Sequence, residues 1–316
     1  MNRDTQPSII IGTRGSQLAM YQAHRVRDEL TKHYPSSKID IRIIQTKGDI
    51  ILDVALSKIG DKGLFTKELE VELLNGNIDL AVHSLKDLPT VFPQGLALGG
   101  VLERGEFRDA LVHQDGKKFS ELGSDDVLAT SSLRRRAQIL KHYPNMKIVD
   151  IRGNVNTRLR KMENGHCTAM IMAAAGLQRL GMEERISEIL DHEDFIPAVS
   201  QGAIAMEIRK DDEATEKALA AIIHQPTLLA VNAERTFLRM LEGGCQVPIG
   251  CYSRMEENRF RIKGFVSSLD ATQMLVDERS GSIDESIMLA EQLAQSLIDK
   301  GSVDILTEIR KSNNIG

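Results

Sequence analysis

The chain has 316 residues, with 45 acidic and 40 basic side chains, a formal net charge of −5 and a pI near 6.0. That balance excludes a general electrostatic attraction to nucleic acid or to anionic membranes, so any cationic site must be assembled locally. A composition of 41% hydrophobic and 27% charged residues is that of a folded globular protein, and the length exceeds one compact core, fitting roughly two or three domains.

The first residues, Met1 to Pro7, are polar, and Ile9-Ile10-Ile11 is too short for the apolar core of an export signal. Ser8–Ile11 reads as a buried strand, after which Ala19, Ala23, Val26 and Leu30 recur at helical spacing. Ile39–Ile44 is a second strand. Phe65, Leu69 and Leu73 mark a helix that stops near Asn75-Gly76, and Ile78–Val82 is a third strand. Alternating strands and helices of this kind predict a parallel sheet. The segment from Glu103 to Asp109 reads as a loop, and beyond it the pattern restarts. Strands are expected at Val127–Thr130, Lys147–Ile151 and Thr168–Met172, with helices starting near Leu133, Asn154 and Ala174. The longest run free of charge and strong polarity, Ala169 to Leu177, is about half of what a bilayer crossing needs, so no membrane span is expected.

After Gln225-Pro226 the order changes. A helix from Leu228 to Leu241 ends at Gly243-Gly244. Ile249–Ser253, Phe260–Ser267 and Gln273–Arg279 follow as an antiparallel meander, and Ile283–Lys300 is a helix closed by Gly301. The two α/β halves share architecture without a detectable sequence repeat, and the last part is a small α+β unit.

The three cysteines, Cys167, Cys245 and Cys251, lie in a chain without an expected leader and have no zinc-site spacing. They point to reduced thiols in the cytosol and to no metal. Cys167 and Cys251 lie in or beside strand-like runs, as buried inert thiols do. Cys245 lies in Gly243-Gly244-Cys245-Gln246-Val247-Pro248, a glycine-rich turn bounded by proline, and is a candidate for reaction. His83 is the one histidine in a candidate site turn, and both a Cys–His pair and a core role stay open for it.

In α/β sheets ligands bind beyond the carboxyl ends of strands. Here those turns read Thr13-Arg14-Gly15-Ser16, His83-Ser84-Leu85-Lys86-Asp87, Thr130-Ser131-Ser132-Leu133-Arg134-Arg135-Arg136 and Arg152-Gly153-Asn154, with Arg158 and Arg179 in the helices that follow. Any single turn is explained by a helix cap and a solvated charge. Repeated cations near helix N-termini oppose the helix dipole, which implies an anionic compensator. No nucleotide-binding glycine motif is present, and arginine forks suit carboxylates, so a small ligand with several carboxylates is expected. Asp87, set beside Lys86, should stay ionised and stabilise a cation developing on the substrate.

Together these turns resemble one family, porphobilinogen deaminase. The matching segments are Thr13 to Ala19, Gly63 to Glu70, Ala81 to Asp87, Thr130 to Arg135, Arg152 to Leu159, Ala175 to Gly181, and Glu234-Arg235 through Glu242 to Gly250. They span almost the whole chain in register. The resemblance implies an α/β fold: two periplasmic-binding-protein-like (type 2) α/β domains with a central cleft, plus a small C-terminal α+β domain. It divides the chain into 1–102 with 203–220, 108–196, and 225–316, with the chain returning to the first domain near Gly202–Ala220.

The resemblance also implies that Cys245 holds a dipyrromethane cofactor through a thioether, and that no metal is used. Asp87 would be the catalytic residue, assisting loss of ammonia from porphobilinogen and stabilising the azafulvenium cation. Four such condensations give the linear tetrapyrrole hydroxymethylbilane, an activity of haem biosynthesis in a cytoplasmic monomer with no nucleic-acid or membrane partner. Arg14, Ser16, Lys58, Ser84, Lys86, Thr130, Ser132, Arg134, Arg135, Arg152, Arg158, Arg179 and Gln201 would hold acetate and propionate groups. Gly12, Ser200 and Arg136 depart from the family pattern. Residues 47–62 could form a lid over the site. Two rival readings remain at this stage, a binding module without chemistry and a cysteine-dependent hydrolase.

Overall fold

The computed structural model describes residues 8–50, 63–243 and 247–312. Lys58, Cys245 and most of the expected lid lie outside the described residues. The chain falls into two compact units, one made of residues 1–51, 61–105 and 203–228, the other of 52–60, 106–202 and 229–316.

The first unit starts with β1 (Ile9–Thr13), α1 (Gln17–His33), β2 (Ile39–Ile43), the single turn α2 (Lys47–Ile50) and α3 (Lys67–Leu74). β3 (Leu80–Ser84) and β4 (Leu96–Val101) follow. α1 forms because Ser16 caps its free amides, accepting from Ala19 N at 3.3 Å, and because Ala19, Ala23, Val26 and Leu30 share the buried face. The sheet order is β2-β1-β3-β10-β4, where β10 (Ile204–Arg209) arrives from late in the chain and is followed by α7 (Glu213–Ala220). β1 pairs in parallel with β2 and β3, whereas β10 runs antiparallel to both β3 and β4. The sheet is therefore mixed rather than parallel. The pattern of apolar residues misled because a strand buried on both faces reads the same in either direction. One face packs Val26, Leu30, Leu80, Met206 and Leu219, the other Leu69, Leu73, Ile78 and Ala81. At Gly12 an added Cβ would meet Ile78 Cδ1 at 2.3 Å, which accounts for glycine there.

The second unit holds β5 (Asp109–His113), β6 (Val127–Ala129), α4 (Leu133–His142), β7 (Lys147–Val149), α5 (Val155–Glu163), β8 (Ala169–Ala173), α6 (Ala174–Gln178) and β9 (Glu188–Ile189). The expected loop through Asp109 thus ends in a strand. The order is β7-β6-β8-β5-β9, with β6 parallel to β7 and β8, and β5 antiparallel to β8 and β9. The same unit contains α8 (Gln225–Met240) from its Leu229 onward, the antiparallel meander β11 (Ile249–Glu256), β12 (Arg259–Ser267) and β13 (Met274–Ser282), and the helices α9 (Ser286–Asp299) and α10 (Ser302–Ser312). Phe260, Ile262 and Val266 on β12 alternate into a core with Phe237 of α8 and Leu289, Leu293 and Leu297 of α9. The fold is α/β: two mixed sheets covered by helices, with a small three-stranded α+β part.

Candidate active site

In the first unit β1 and β3 are parallel neighbours, so the residues after them emerge at one edge of the sheet. Arg14 and Ser16 follow β1, and Ser84, Lys86 and Asp87 end β3 and form the 3₁₀ turn Leu85–Asp87. Gln22 Nε2 of α1 donates to Ser84 Oγ at 2.8 Å, tying the helix that follows β1 to the end of β3. Leu85 N donates to Ala203 O at 3.0 Å, and Asp87 is exposed. Arg14 is half-buried. It pairs with Asp49 of α2 and stacks over the Phe65 ring, 4.2 Å from its centroid. Burial pulls the Asp49 carboxyl up, but hydrogen bonds from Arg14 and Thr46 outweigh it and hold the group below the usual carboxylate range. Gly48 permits this arrangement, since a Cβ there would lie 2.2 Å from Phe65.

In the second unit the parallel strands β7, β6 and β8 likewise end together. Thr130, Ser132, Arg134 and Arg135 follow β6, Arg152 and Arg158 follow β7, and Arg179 follows β8 by way of α6. Ser132 caps α4, accepting from Arg135 N at 3.4 Å, and Thr130 Oγ1 accepts from Ser132 N at 3.2 Å. Ser131 Oγ both donates to Ile151 O and accepts from Ile151 N, each at 3.0 Å, which locks the ends of β6 and β7 in register. Asn154 caps α5, and Arg158 Nε donates to Gly153 O at 2.7 Å. Gly153 has φ +116°, and a Cβ would press on Thr157 at 2.6 Å. Arg179 Nη2 donates to Gly202 O at 2.5 Å.

Arg134 and Arg135 are buried and converge on Asp109, itself inaccessible to solvent at the start of β5. Arg134 Nη1 lies 2.8 Å from Asp109 Oδ2 and Arg135 Nη2 lies 2.7 Å from Oδ1. Gln201 Nε2 donates to the same Oδ1 at 2.9 Å and to Phe107 O at 2.8 Å. Burial alone would raise the Asp109 carboxyl, but the two guanidinium groups overcome it and hold the acid far below its usual range. The anion demanded by cations at helix N-termini is thus, for three arginines, supplied by the protein: Asp49 for Arg14, Asp109 for Arg134 and Arg135. Arg152 differs, because its Nη1 is buried and meets no hydrogen-bond partner among the described residues.

Sequence reasoning did not single out Asp109, Asp49 or Gln22. An acid opening an apolar strand, Asp109-Ala110-Leu111-Val112, is the signal that was available for the first. Cys167 and Cys251 are buried, as expected, and burial pushes the Cys167 thiol up to about 11. No helix among the described residues is long and apolar enough to cross a membrane, and no cluster of His, Cys, Asp or Glu among them could hold a metal.

Comparison with known proteins agrees with this geometry. Residues 9–217 match the family model "Porphobilinogen deaminase, dipyromethane cofactor binding domain", and residues 228–299 match "Porphobilinogen deaminase, C-terminal domain". The porphobilinogen deaminase of Carboxydothermus hydrogenoformans is 49% identical over 306 residues, 97% of this chain and 98% of its own length. That of Synechococcus elongatus is 49% identical over 304 residues, 95% of each chain. Among solved structures, the methionine binding protein MetQ covers 68% of this chain and 89% of its own at 12% identity, with a TM-score of 0.44. With both family models matched in order and relatives aligned nearly end to end, the chain belongs to the porphobilinogen deaminase family.

Proposed function

We propose that this enzyme, a transferase of the hydroxymethylbilane synthase class with a dipyrromethane cofactor, anchors that cofactor on Cys245 and uses Asp87 for the four condensations of porphobilinogen. The observation that carries the assignment of Asp87 is its placement: an exposed carboxylate in a turn fixed at the end of β3, on the sheet edge that also bears Arg14, Ser16 and Lys86.

The residues present fit a group bearing several carboxylates. Arg152 offers a buried Nη1 without a hydrogen-bond partner among the described residues, and the hydroxyls of Thr130 and Ser132 lie at a helix N-terminus. Arg158 and Arg179 are steered by backbone carbonyls of Gly153 and Gly202. When bound, the dipyrromethane supplies the nucleophilic pyrrole carbon that primes the chain. Asp87 stabilises the positive charge that develops on the aminomethyl carbon of porphobilinogen as ammonia leaves. Arg14, Ser16, Lys58, Ser84, Lys86, Thr130, Ser132, Arg152, Arg158 and Arg179 hold acetate and propionate groups. Arg134, Arg135 and Gln201 belong to the same set, and their hold on Asp109 fixes the directions in which they donate. For this reading the chain divides into 1–102 with 203–220, 108–196 and 225–316, and it acts as a cytoplasmic monomer.

The test is the intact mass of the purified protein beside Cys245→Ser. The reading expects an excess of two linked pyrrole units on the parent and none on the variant. Bare sequence mass in both, persisting after incubation with porphobilinogen, overturns it in favour of a binding module. Asp87→Asn is expected to keep the mass excess and to lower kcat at least about a hundredfold.

A further inference from the structure

Beneath the turn that carries Asp87 lies a buried group of ionisable side chains that the proposed chemistry does not use. His83 of β3 and Glu207 of β10 are both buried, with His83 Nε2 at 3.1 Å from Glu207 Oε2. In the antiparallel register His83 stands opposite Ala205 and Ala81 opposite Glu207, so His83 and Glu207 share the face of the sheet that α3 covers. Glu70 of α3 is buried over the same face. Burial raises its carboxyl, the Thr66 hydroxyl opposes this, and the charge of Glu207 raises it further. The other neighbours acting on Glu70 are His83 itself and Lys67.

Such a group is expensive to keep. Neither oxygen of Glu207 has a well-aligned hydrogen bond among the described residues, and a buried ion pair generally stabilises a fold no better than apolar residues of similar volume. His83 Nε2 likewise has no well-aligned hydrogen bond among the described residues, so the 3.1 Å approach to Glu207 is a close polar contact between β3 and β10. What the contact does achieve is directional. His83 is gripped on one face of β3 by β10, and the next residue, Ser84, is gripped on the opposite face by Gln22 of α1 at 2.8 Å. The strand end from which Asp87 springs is clamped from both sides. Glu70 lies one turn along α3 from Thr66, directly after the Phe65 ring that carries Arg14, so the same group references both parts of this sheet edge.

We infer that His83 and Glu207, with Glu70 over them, are positioning residues for Asp87, holding the end of β3 so that the carboxylate meets the reacting carbon. The inference rests on the assignment of Asp87 above. Replacing both groups by apolar ones removes the facing pair together and leaves Glu70 with its Thr66 hydroxyl, which makes the double variant His83→Leu/Glu207→Leu the direct test. It is expected to unfold at or above the parent's Tm, to keep KM for porphobilinogen within about threefold, and to lose kcat by at least about tenfold, the cost of a misplaced reacting group. Glu207→Gln, which keeps an acceptor for the ring, is expected to stay within about threefold of the parent in kcat. The inference is overturned if the double variant keeps kcat within about twofold, if its Tm falls below the parent's, or if Glu207→Gln is as slow as the double variant. Asp87→Asn measured alongside separates the two readings: full activity there refutes the role of Asp87 alone, whatever the double variant does.

Discussion

In the first sheet the reversed strand β10 buries Glu207 beside a single histidine, whereas in the second the reversed strand β5 buries Asp109 between two arginines and a glutamine. The two sheets are otherwise laid out alike. Each has three parallel strands, then a reversed fourth strand, then an edge strand, in the orders β2-β1-β3-β10-β4 and β7-β6-β8-β5-β9. In each, the fourth strand comes from the stretch of chain that has just left the other unit. The difference lies in how the buried acid is answered. Asp109 accepts from Arg135 and Gln201 on Oδ1 and has the Arg134 guanidinium 2.8 Å from Oδ2, and so ties strand, helix and turn together. Glu207 is under-answered, and its value lies in where it holds β3. One architecture thus carries a structural acid in one copy and a positioning acid in the other.

Breaking the better-answered acid should have the largest effect. Asp109→Asn leaves two buried guanidinium groups without their shared anion and is expected to cost about 3–5 kcal/mol of unfolding free energy by urea titration. The acid side gives an independent check. The folded-state pKa of Asp109 is depressed, so its contribution is present above the unfolded value near ~3.9 and is lost as pH falls toward the folded value. Parent stability should therefore decline below about pH 4, and Asp109→Asn should flatten that decline. If the variant were as stable as the double variant at His83 and Glu207, the contrast between the sheets would fail.

A third acid sharpens the comparison because it is answered as fully as Asp109 but nearer the solvent. Glu193, shortly after β9, accepts from Tyr252 Oη at 2.6 Å and Lys263 Nζ at 2.7 Å, and lies 3.2 Å from Arg261 Nη1. Burial raises its carboxyl, but Lys263 and Tyr252 outweigh that and bring it down to about 2. With about a third of the side chain exposed, water screens these charges, and Glu193→Gln is expected to cost only about 1–2 kcal/mol in the same titration. Its contribution also fades between about pH 4 and pH 2, in the same direction as that of Asp109.

These networks mark the boundary of what the amino-acid sequence makes legible. Strand ends are readable because hydroxyl caps and glycine turns act locally: Ser16, Ser132 and Asn154 cap the helices that the pattern places after them. The meander is readable because Phe260, Ile262 and Val266 alternate. Strand direction is not local. β10 reads as an apolar run with one acid, and only its pairing with Ser84, His83 and Val82 reveals that it is reversed and that Glu207 faces His83. The partners of Arg134 and Arg135 were equally hidden. Asp109 lies 26 residues before Arg135 in sequence and Gln201 is 92 residues from Asp109, so no spacing rule connects them.

The turn that delivers Gln201 to Asp109 offers the smallest effect. Ser200 has φ +61°, a left-handed conformation that favours glycine, and its buried Oγ finds no hydrogen-bond partner among the described residues. Its amide is nevertheless held, donating to Glu234 Oε2 at 2.7 Å, while Oε1 of the same carboxylate accepts from Ser253 N at 2.8 Å. The backbone is therefore fixed by α8 and β11, and the side chain contributes strain and an unsatisfied hydroxyl. Ser200→Gly removes both without touching the amide, and against them stands the extra unfolded-state entropy of glycine. A net gain of about 0.5–1 kcal/mol is expected, read as a small rise in Tm with unchanged kcat. A loss of stability would mean that the hydroxyl, not the backbone, secures this turn, and that the Asp109 network depends on Ser200 for more than its shape.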